Sequence, residues 1–405
     1  MSSINYEHIA ILGRQPELGL AELESLLGGN RVTPFGKGLA FVDLQNKSIP
    51  TTCGSTVKFM HVKGRVESLD WGVIEKALVE FARDLEQNVP EGKLTIGLSA
   101  YGLQVSTRQL GHTSLLVKKS VKAKGRSVRL VPNTSIAMNS AQVIHNKLIN
   151  ERGWELCLVR DGQTTVLAQT VWEQPIEWYA ARDQARPNRD ARVGMLPPKL
   201  AQTIVNLAVG DRRGLETVNG KPDAAPTLLD PFCGTGVVLQ EAALMGIQVY
   251  GTDVDARMID YTKGNLEWLE DRFRLNPIGA TLEVGDATSH GWQSGVDYVA
   301  TETFLGKPFG ANAPRQEIDT QKHAVGGLLK SALKNIARQI ESGTRCCFAV
   351  PVWQHQNKLI FLGLIDQLPE MGYNLVSFRH CDASALVYIR DDQVVGRQLI
   401  VCEKE

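Results

Sequence analysis

Short apolar runs alternate with longer amphipathic stretches along the second half of the chain, from about residue 200 onward. Apolar runs of about four to eight residues are typical of buried strands, and apolar residues spaced three and four apart are typical of helices. Alternation of the two predicts an α/β fold with a mostly parallel, doubly wound sheet. Three closely spaced apolar stretches at 375–379, 386–390 and 396–402 predict an antiparallel edge.

The spacing of apolar residues also predicts where each helix and strand of this half lies. The predicted helices cover residues 200–208, 237–246, 258–269, 324–340 and 355–367. The predicted strands cover residues 228–230, 248–255, 280–287, 296–302 and 345–350.

Residues before this alternating region mix strands and helices less regularly, which predicts smaller α+β units. A strand at 8–12, a leucine-rich helix at 18–27 and a strand at 40–44 are expected in the first unit. A helix at 71–82, a strand at 94–100, helices from Thr113 and from Ser140, and a hairpin around Asp161-Gly162 are expected in the second. The predicted domains are 1–60, 61–172, an arginine- and proline-rich linker at 173–198, and 199–405.

Composition narrows the class of protein. Hydrophobic residues make up 43% of the 405 residues, which predicts a folded globular protein. Lys+Arg and Asp+Glu both number 44, so the net charge does not indicate a polyanionic partner. No apolar run approaches the roughly 20 residues of a membrane span, and no signal peptide is evident, so we expect a cytoplasmic protein. The seven cysteines form no CxxC pair, which predicts reduced thiols and no metal site.

One local cluster of charge stands out against this balance. Six cations and no acid lie between residues 118 and 129. The first five are Lys118, Lys119, Lys122, Lys124 and Arg126. Such a cluster is either a solvated helix face or a surface for the phosphates of a nucleic acid, and the sequence leaves both open.

The segment Leu228-Leu229-Asp230-Pro231-Phe232-Cys233-Gly234-Thr235-Gly236 predicts a strand, a glycine turn and the start of a helix. In sheets of this kind ligands bind at the carboxyl ends of the strands. The glycines allow backbone to approach a ligand closely, which fits a dehydrogenase, a kinase or a methyltransferase. The carboxylate of Asp230 favours a cationic ligand group over a phosphate.

Two further acids end the next two strands. Asp253 follows the turn by about twenty residues, a spacing that suits hydrogen bonds to ribose hydroxyls. Asp286 ends the third strand, where it could accept a hydrogen bond from an adenine amino group. Each acid alone could be a helix cap or a loop residue. Together, contacts to adenine, ribose and a cationic tail indicate S-adenosylmethionine as the cofactor.

The fourth strand ends at Glu302-Thr303-Phe304, where we expect the chemistry. An exocyclic base amine is a poor nucleophile, so an enzyme must accept hydrogen bonds from its N–H groups and hold the extruded base against an apolar wall. Glu302 and the carbonyl of Thr303 could accept those bonds, and Phe304 could stack on the base. The alternative is an ordinary polar strand end with a buried phenylalanine.

At this point the chain resembles a known family. The Asp230–Gly236 motif is similar to the first motif of class I methyltransferases in its nucleic-acid amino-methylase form. Residues 182–201, with Arg182-Asp183, Arg186-Pro187, Arg189-Asp190 and Gly194-Met195-Leu196-Pro197-Pro198-Lys199-Leu200-Ala201, resemble the segment before the catalytic domain of archaeal and eukaryotic tRNA guanine-N2 methyltransferases acting on guanosine 10. Residues 13–18 and 21–23 resemble the N-terminal domain of that family, and the basic middle unit occupies the place of its RNA-binding THUMP domain.

The resemblance implies a Rossmann-like methyltransferase domain preceded by α+β N-terminal and THUMP-like domains. It implies transfer of a methyl group to N2 of a guanosine in tRNA. We expect a monomer, and a requirement for a small activating subunit is kept as an alternative. The implied cofactor contacts are Asp230, Phe232, Gly234, Gly236, Asp253 and Asp286. The implied RNA contacts include the five cations listed above with Arg186 and Arg189.

The fourth motif departs from the family pattern. The family usually has Asp-Pro-Pro-Tyr after a threonine, whereas this chain has Glu302-Thr303-Phe304-Leu305. Both prolines are absent and the acid is one methylene longer. An N-methyltransferase acting on adenine or cytosine, and a non-catalytic RNA-binding protein that retains the fold, are therefore kept as alternatives.

Overall fold

The computed structural model describes residues 6–45, 47–190, 196–211, 225–310, 313–390 and 393–405. The helices are α1 Pro16–Leu27, α2 Trp71–Leu85, α3 Thr107–Lys122, α4 Ser140–His145, α5 Ile176–Ala180, α6 Pro198–Val209, α7 Val237–Leu244, α8 Ala256–Phe273 and α9 Arg315–Ala337. The strands are β1 His8–Leu12, β2 Val32–Phe35, β3 Leu39–Val42, β4 Thr56–Val66, β5 Leu94–Tyr101, β6 Val128–Leu130, β7 Gly153–Asp161, β8 Thr164–Glu173, β9 Thr227–Asp230, β10 Gln248–Asp253, β11 Ala280–Val284, β12 Tyr298–Glu302, β13 Arg345–His355, β14 Lys358–Phe361, β15 Tyr373–Leu375, β16 Val387–Tyr388 and β17 Val395–Lys404.

The chain forms two compact units whose boundaries differ from those predicted. The first unit contains Met1–Pro16, Arg31–Thr51 and Thr56–Ile176, and the second contains Glu17–Asn30, Thr52–Ser55 and Glu177–Glu405. The expected boundary at residue 60 falls inside β4, which pairs with β1 on one side and β8 on the other. The predicted N-terminal and THUMP-like regions therefore share one sheet.

That sheet of the first unit has the order β2-β3-β1-β4-β8-β7-β5-β6 among the described residues. Its pairs are antiparallel from β2 to β7, and β5 pairs in parallel with both β7 and β6. The helices α2 and α3 pack on one face through buried residues such as Ile74, Leu78 and Val117. The predicted α+β class is thus confirmed for this part of the chain.

The second unit contains the α/β sheet. Its main strand order is β11-β10-β9-β12-β13-β17-β15 among the described residues. The pairs from β11 to β13 are parallel, and β17 runs antiparallel to both β13 and β15. The predicted parallel sheet with an antiparallel edge is confirmed.

Helices α1 and α6 belong to the core of this second unit. Nearly every residue of α6 is buried, and its apolar side chains pack with Leu18 and Ala21 of α1. The buried carboxylate of Glu22 accepts hydrogen bonds from the N–H groups of Gly54 and Ser55, at 2.8 Å each. A helix near the N-terminus is therefore part of the α/β unit, which the sequence periodicity did not indicate.

One predicted helix is wrong. Residues 355–367 were expected to be helical, but the structure has a hairpin between β13 and β14, followed by a 3-10 helix at Ile365–Gln367. Gln356 and Asn357 adopt positive φ angles of 47° and 60°, the conformation of a two-residue hairpin turn. Trp353 and Ile360 then pair across the hairpin on its buried side. The apolar run here is too short to show a decisive period, so the sequence pattern does not separate a hairpin from a helix.

Candidate active site at the strand ends

Four acidic residues lie at the carboxyl ends of four adjacent parallel strands. Asp230, Asp253 and Glu302 are the last residues of β9, β10 and β12, and Asp286 follows β11 by two residues. Because β11, β10, β9 and β12 are neighbours in this order, the four ends form one edge of the sheet. This is the edge at which open α/β sheets bind their ligands.

The glycine turn after β9 contains two glycines with different structural roles. Gly234 and Gly236 have φ angles of 52° and 78°, which L-residues with a side chain rarely adopt. A Cβ at Gly236 would lie 2.8 Å from the Thr262 side chain, so this glycine permits close packing of α8. A Cβ at Gly234 would meet no atom nearer than the Phe232 carbonyl at 4.0 Å. The space above Gly234 is therefore open to a ligand.

Asp230 acts from beneath the turn. Its side chain is 1% exposed, and its Oδ1 accepts a hydrogen bond of 3.2 Å from the Phe232 N–H. Burial raises the pKa of the Asp230 carboxyl to about 7, despite that hydrogen bond. A nearby cation would stabilise a buried carboxylate of this kind, and the role of Asp230 opposite a cationic group stays a prediction.

Asp253 braces the turn from the neighbouring strand. Its Oδ2 accepts a hydrogen bond of 2.9 Å from the Gly234 N–H, and its Oδ1 accepts one of 3.0 Å from the Asp255 N–H. Burial raises the pKa of the Asp253 carboxyl. The exposed Asp286 uses its Oδ1 for the N–H and hydroxyl of Thr288, which lower the pKa of Asp286. Both acids thus have local partners within the protein, and their ligand role stays a prediction.

Helix α8 holds the turn from the other side through two residues that the sequence analysis missed. The Thr262 hydroxyl donates to the Gly234 carbonyl at 2.9 Å. The Asn265 amide donates to the carbonyls of Thr235 and Asn188, at 2.8 and 2.9 Å. Polar residues at i and i+3 on the buried side of an otherwise amphipathic helix were the available signal.

The fourth strand end differs most from expectation. Glu302 Oε1 accepts a hydrogen bond of 2.7 Å from Nε of Arg397, a residue of β17 that the sequence analysis did not select. The N–H and hydroxyl of Thr303 both donate to the Ala349 carbonyl, at 3.0 and 3.1 Å, which fixes the backbone without the family's two prolines. The Phe304 side chain is 45% exposed, so the alternative of a buried phenylalanine is wrong. A charged residue inside the apolar strand 395–402 was the signal for Arg397.

The predicted linker is tied to the second unit. It contains α5 and a π-helical turn at Ala181–Ala185. The Arg182 guanidinium binds both carboxylate oxygens of Glu241 on α7, at 2.6 and 3.1 Å. The Asn188 N–H donates to Asn265 Oδ1 at 2.9 Å. Gly194 and Met195, part of the family-like segment, lie outside the described residues.

Of the predicted RNA contacts, one is buried and another is bound by groups of the protein itself. Arg186 is 3% exposed, and burial lowers the pKa of its guanidinium, so the expectation of a surface RNA contact is corrected to a buried position. Arg126 donates to Glu86 and to the carbonyls of Val89 and Pro90, which ties it to the loop after α2. Arg189 is exposed. Lys119, Lys122 and Lys124 are exposed and Lys118 is half-buried, all on or just after α3 in the first unit.

Within the described ranges, no cluster of three or more His, Cys, Asp or Glu side chains could hold a metal ion. All seven cysteines are free, and six of them are buried. No helix in the described part of the chain is long and apolar enough to span a membrane.

Comparison with known proteins agrees with this geometry. Residues 188–359 match the UPF0020 family, whose model describes an RMKL-like methyltransferase domain. The chain is similar to the tRNA (guanine(10)-N2)-dimethyltransferase of Methanothermobacter thermautotrophicus, with 32% identity over 186 residues, or 44% of this chain and 46% of the relative. It is also similar to the enzyme of the same name from Pyrococcus abyssi, with 36% identity over 118 residues, or 29% of this chain and 27% of the relative. The chain thus aligns with less than half of the length of these curated relatives.

A solved structure extends the likeness to the whole chain at the level of fold. TrmN from Thermus thermophilus superimposes with a TM-score of 0.50 over 98% of this chain and 99% of its own, at 16% identity. The predicted Rossmann-like methyltransferase fold is therefore confirmed. The glycine turn and the four strand-end acids all lie within the matched residues 188–359, at the expected edge of the sheet.

Proposed function

We propose that the protein transfers a methyl group from S-adenosylmethionine to the exocyclic N2 of a guanosine in tRNA. The observation that carries the proposal is the row of strand-end carboxylates, Asp286, Asp253, Asp230 and Glu302, around an open glycine turn in a methyltransferase domain. The activity named for the two archaeal relatives supports the choice of guanosine in tRNA.

The residues at the turn fit the proposed cofactor. S-adenosylmethionine, when bound, supplies a methyl group on a positively charged sulfur. The open face at Gly234 gives backbone access, and the carboxylates of Asp230 and Asp253 favour cationic and hydroxyl groups respectively. Asp286 is exposed and can accept a hydrogen bond from an adenine amine, and Phe232 lies in the turn itself.

The fourth strand end prepares the target amine. Glu302 accepts a hydrogen bond from one N–H of the amine, and the Thr303 carbonyl accepts one from the other N–H. These two bonds turn the nitrogen lone pair out of conjugation with the ring. Phe304 stacks on the extruded base, as its exposure permits. After transfer the nitrogen loses a proton, which the Glu302 carboxylate accepts.

The first unit supplies the RNA-binding surface in this proposal, in the manner of a THUMP-like domain. Lys119 and Lys122 lie on α3, and Lys124 follows it by two residues. A cavity of about 880 Å³ at the starts of β5 and β7 is lined by further cations, namely Lys93, Arg129, Lys147 and Arg152. Phosphate contacts from such groups provide affinity that falls steeply with salt. The protein then acts on its tRNA in the cytoplasm, and a monomer suffices for the chemistry described.

The test is to incubate the purified protein with methyl-labelled S-adenosylmethionine and total tRNA and to digest the product to nucleosides. We expect labelled N2-methylguanosine, and its loss in Glu302→Ala. Label on adenosine or cytidine would instead identify the protein as another base N-methyltransferase. Cofactor binding by calorimetry without any turnover would identify a non-catalytic RNA-binding protein.

The RNA-binding part has its own test. Reversing Lys118, Lys119 and Lys122 to Glu should weaken tRNA binding, flatten its dependence on salt and leave cofactor affinity intact. Reversing Lys93 and Lys147 to Glu is the matched change at the cavity. Unchanged affinity in either variant would assign that surface to solvent.

A further inference from the structure

We propose that Arg397 is a positioning residue for this reaction, which holds Glu302 by one carboxylate oxygen and directs the other oxygen to the amine of the target base. The inference rests on the proposed function, because it assigns a task within the same site. It concerns a residue about a hundred positions beyond the catalytic motif in sequence.

The sheet brings the two side chains together across an intervening strand. Glu302 of β12 is opposite Ala349 of β13, and Ala349 is opposite Leu399 of β17. Arg397 lies two residues before Leu399, so its side chain points to the same face of the sheet as that of Leu399. The resulting contact from Arg397 Nε to Glu302 Oε1 is 2.7 Å long. It spans β13 at the carboxyl end of the fourth strand.

The contact uses only half of the carboxylate. Within the described part of the chain, no donor other than Arg397 Nε reaches the Glu302 carboxylate. Oε2 is therefore available to a ligand. The Glu302 side chain is 16% exposed and that of Arg397 is 7% exposed, so the accessible member of the pair is the one that must reach the base.

The same contact compensates for the residues by which this chain differs from the family motif. Glutamate has one more rotatable bond than the aspartate of that family, and the prolines that would stiffen the turn are absent. A glutamate free to change rotamer would present its oxygen to the amine only part of the time. The charge-assisted bond to Arg397 fixes the carboxylate, while the bonds from Thr303 to Ala349 fix the backbone.

Charge supports this arrangement. The carboxylates of Glu302 and Asp230 are close enough on neighbouring strands to repel each other. The guanidinium of Arg397 approaches Glu302 from β17 and offsets that repulsion. A neutral side chain at position 397 would leave two acids facing each other and would let Glu302 turn away.

The test compares kinetic constants of the full-length protein on tRNA for Arg397→Met, Arg397→Lys and Arg397→Ala. We expect Arg397→Met to lower kcat about 100-fold, with KM for tRNA and the calorimetric Kd for S-adenosylmethionine within about threefold of wild type, since misplacement of a reacting group by about 1 Å has an effect of this size. Lysine retains the charge without the planar guanidinium and should restore part of kcat. Millimolar guanidinium added to Arg397→Ala should also raise kcat, which a purely structural role would not produce.

Arg345→Lys is the matched control. Arg345 is a half-buried arginine of the same sheet, at the opposite end of β13, where it donates to the Leu207 carbonyl and to Ser25. We expect its kcat to stay at the wild-type value. A wild-type kcat in folded Arg397→Met, or no response to lysine and guanidinium, would overturn the role of Arg397. An inactive wild-type protein that binds the cofactor would instead overturn the proposed function itself.

Discussion

Two buried arginine–glutamate pairs lie in the same α/β unit, and they use the carboxylate differently. Arg182 contacts both oxygens of Glu241, at 2.6 and 3.1 Å, and the two side chains are 5% and 0% exposed. Arg397 contacts a single oxygen of Glu302, whose side chain is 16% exposed. The first pair fastens the segment before the methyltransferase domain to α7, and the second leaves an acceptor open at the strand ends.

The difference shows how the same chemistry serves two purposes. A carboxylate whose oxygens are both bound to one guanidinium has its strongest lone pairs committed, so the pair stabilises a contact between two elements. A carboxylate bound through one oxygen has its orientation fixed and still has an acceptor for a substrate. Measuring the stability and the activity of variants at both pairs separates these purposes.

The largest expected effect is on stability, from Glu241→Ala. This change leaves the buried Arg182 without its carboxylate partner. Breaking a buried pair by removing one member costs about 3–5 kcal/mol, so we expect a loss of that size in the free energy of unfolding. Urea unfolding followed by circular dichroism measures it. A loss below about 1 kcal/mol would show that the pair does not fasten the segment.

Arg397→Met should have a smaller effect on stability than on activity. Glu302 can turn toward water when its partner is removed, so we expect a loss of about 1–3 kcal/mol in the free energy of unfolding. The accompanying fall in kcat should be larger than the fall in kcat of any variant at position 182. If variants of the two pairs lost stability and activity in the same proportion, the two pairs would not have separate roles in stability and in activity.

Asp230 is the contrasting carboxylate at the strand ends, since no guanidinium accompanies it among its described neighbours. Its pKa of about 7 means that a proton is bound below that pH and that the neutral form cannot attract a cationic group. We therefore expect the affinity for S-adenosylmethionine to fall about tenfold between pH 8 and pH 6, since each pH unit below the pKa is a factor of ten. Calorimetry at several pH values measures this fall.

The control for that titration is Asp230→Asn, which should bind the cofactor weakly and with little dependence on pH across this range. The raised pKa also has a consequence for stability. The folded state holds a proton that the unfolded state has lost above its usual pKa near 4, so this group's contribution to stability declines as the pH rises toward 7. A cofactor affinity that rises on acidification would contradict the assignment.

The smallest expected effect comes from Arg182→Lys. Lysine retains the charge beside Glu241 but cannot reproduce two parallel hydrogen bonds. We expect a loss of about 1 kcal/mol in the free energy of unfolding, the value of one hydrogen bond, with kcat unchanged. Thermal unfolding together with the methylation assay would detect either outcome, and a fall in kcat would mean that the first pair also controls the site.

Much of this architecture was predictable because it depends on local pattern. The apolar runs that became β9, β10 and β12 end in the acids that form the site, and parallel strands necessarily bring those ends to one edge. The glycines of the turn were identifiable because positive φ angles favour that residue. The hairpin at 355–361 was misread because a short apolar run carries no decisive period.

The sequence by itself determined which residues form the glycine turn and which acids follow the successive strands of the α/β sheet. Tertiary structure alone decided which side chains each acid meets. Arg397 reaches Glu302 because β17 lies beside β13, and α1 joins the α/β unit through its packing against α6 and the donors that Glu22 finds at Gly54 and Ser55. Such contacts join residues that are distant along the chain, and their energies depend on burial and distance, which no local pattern encodes.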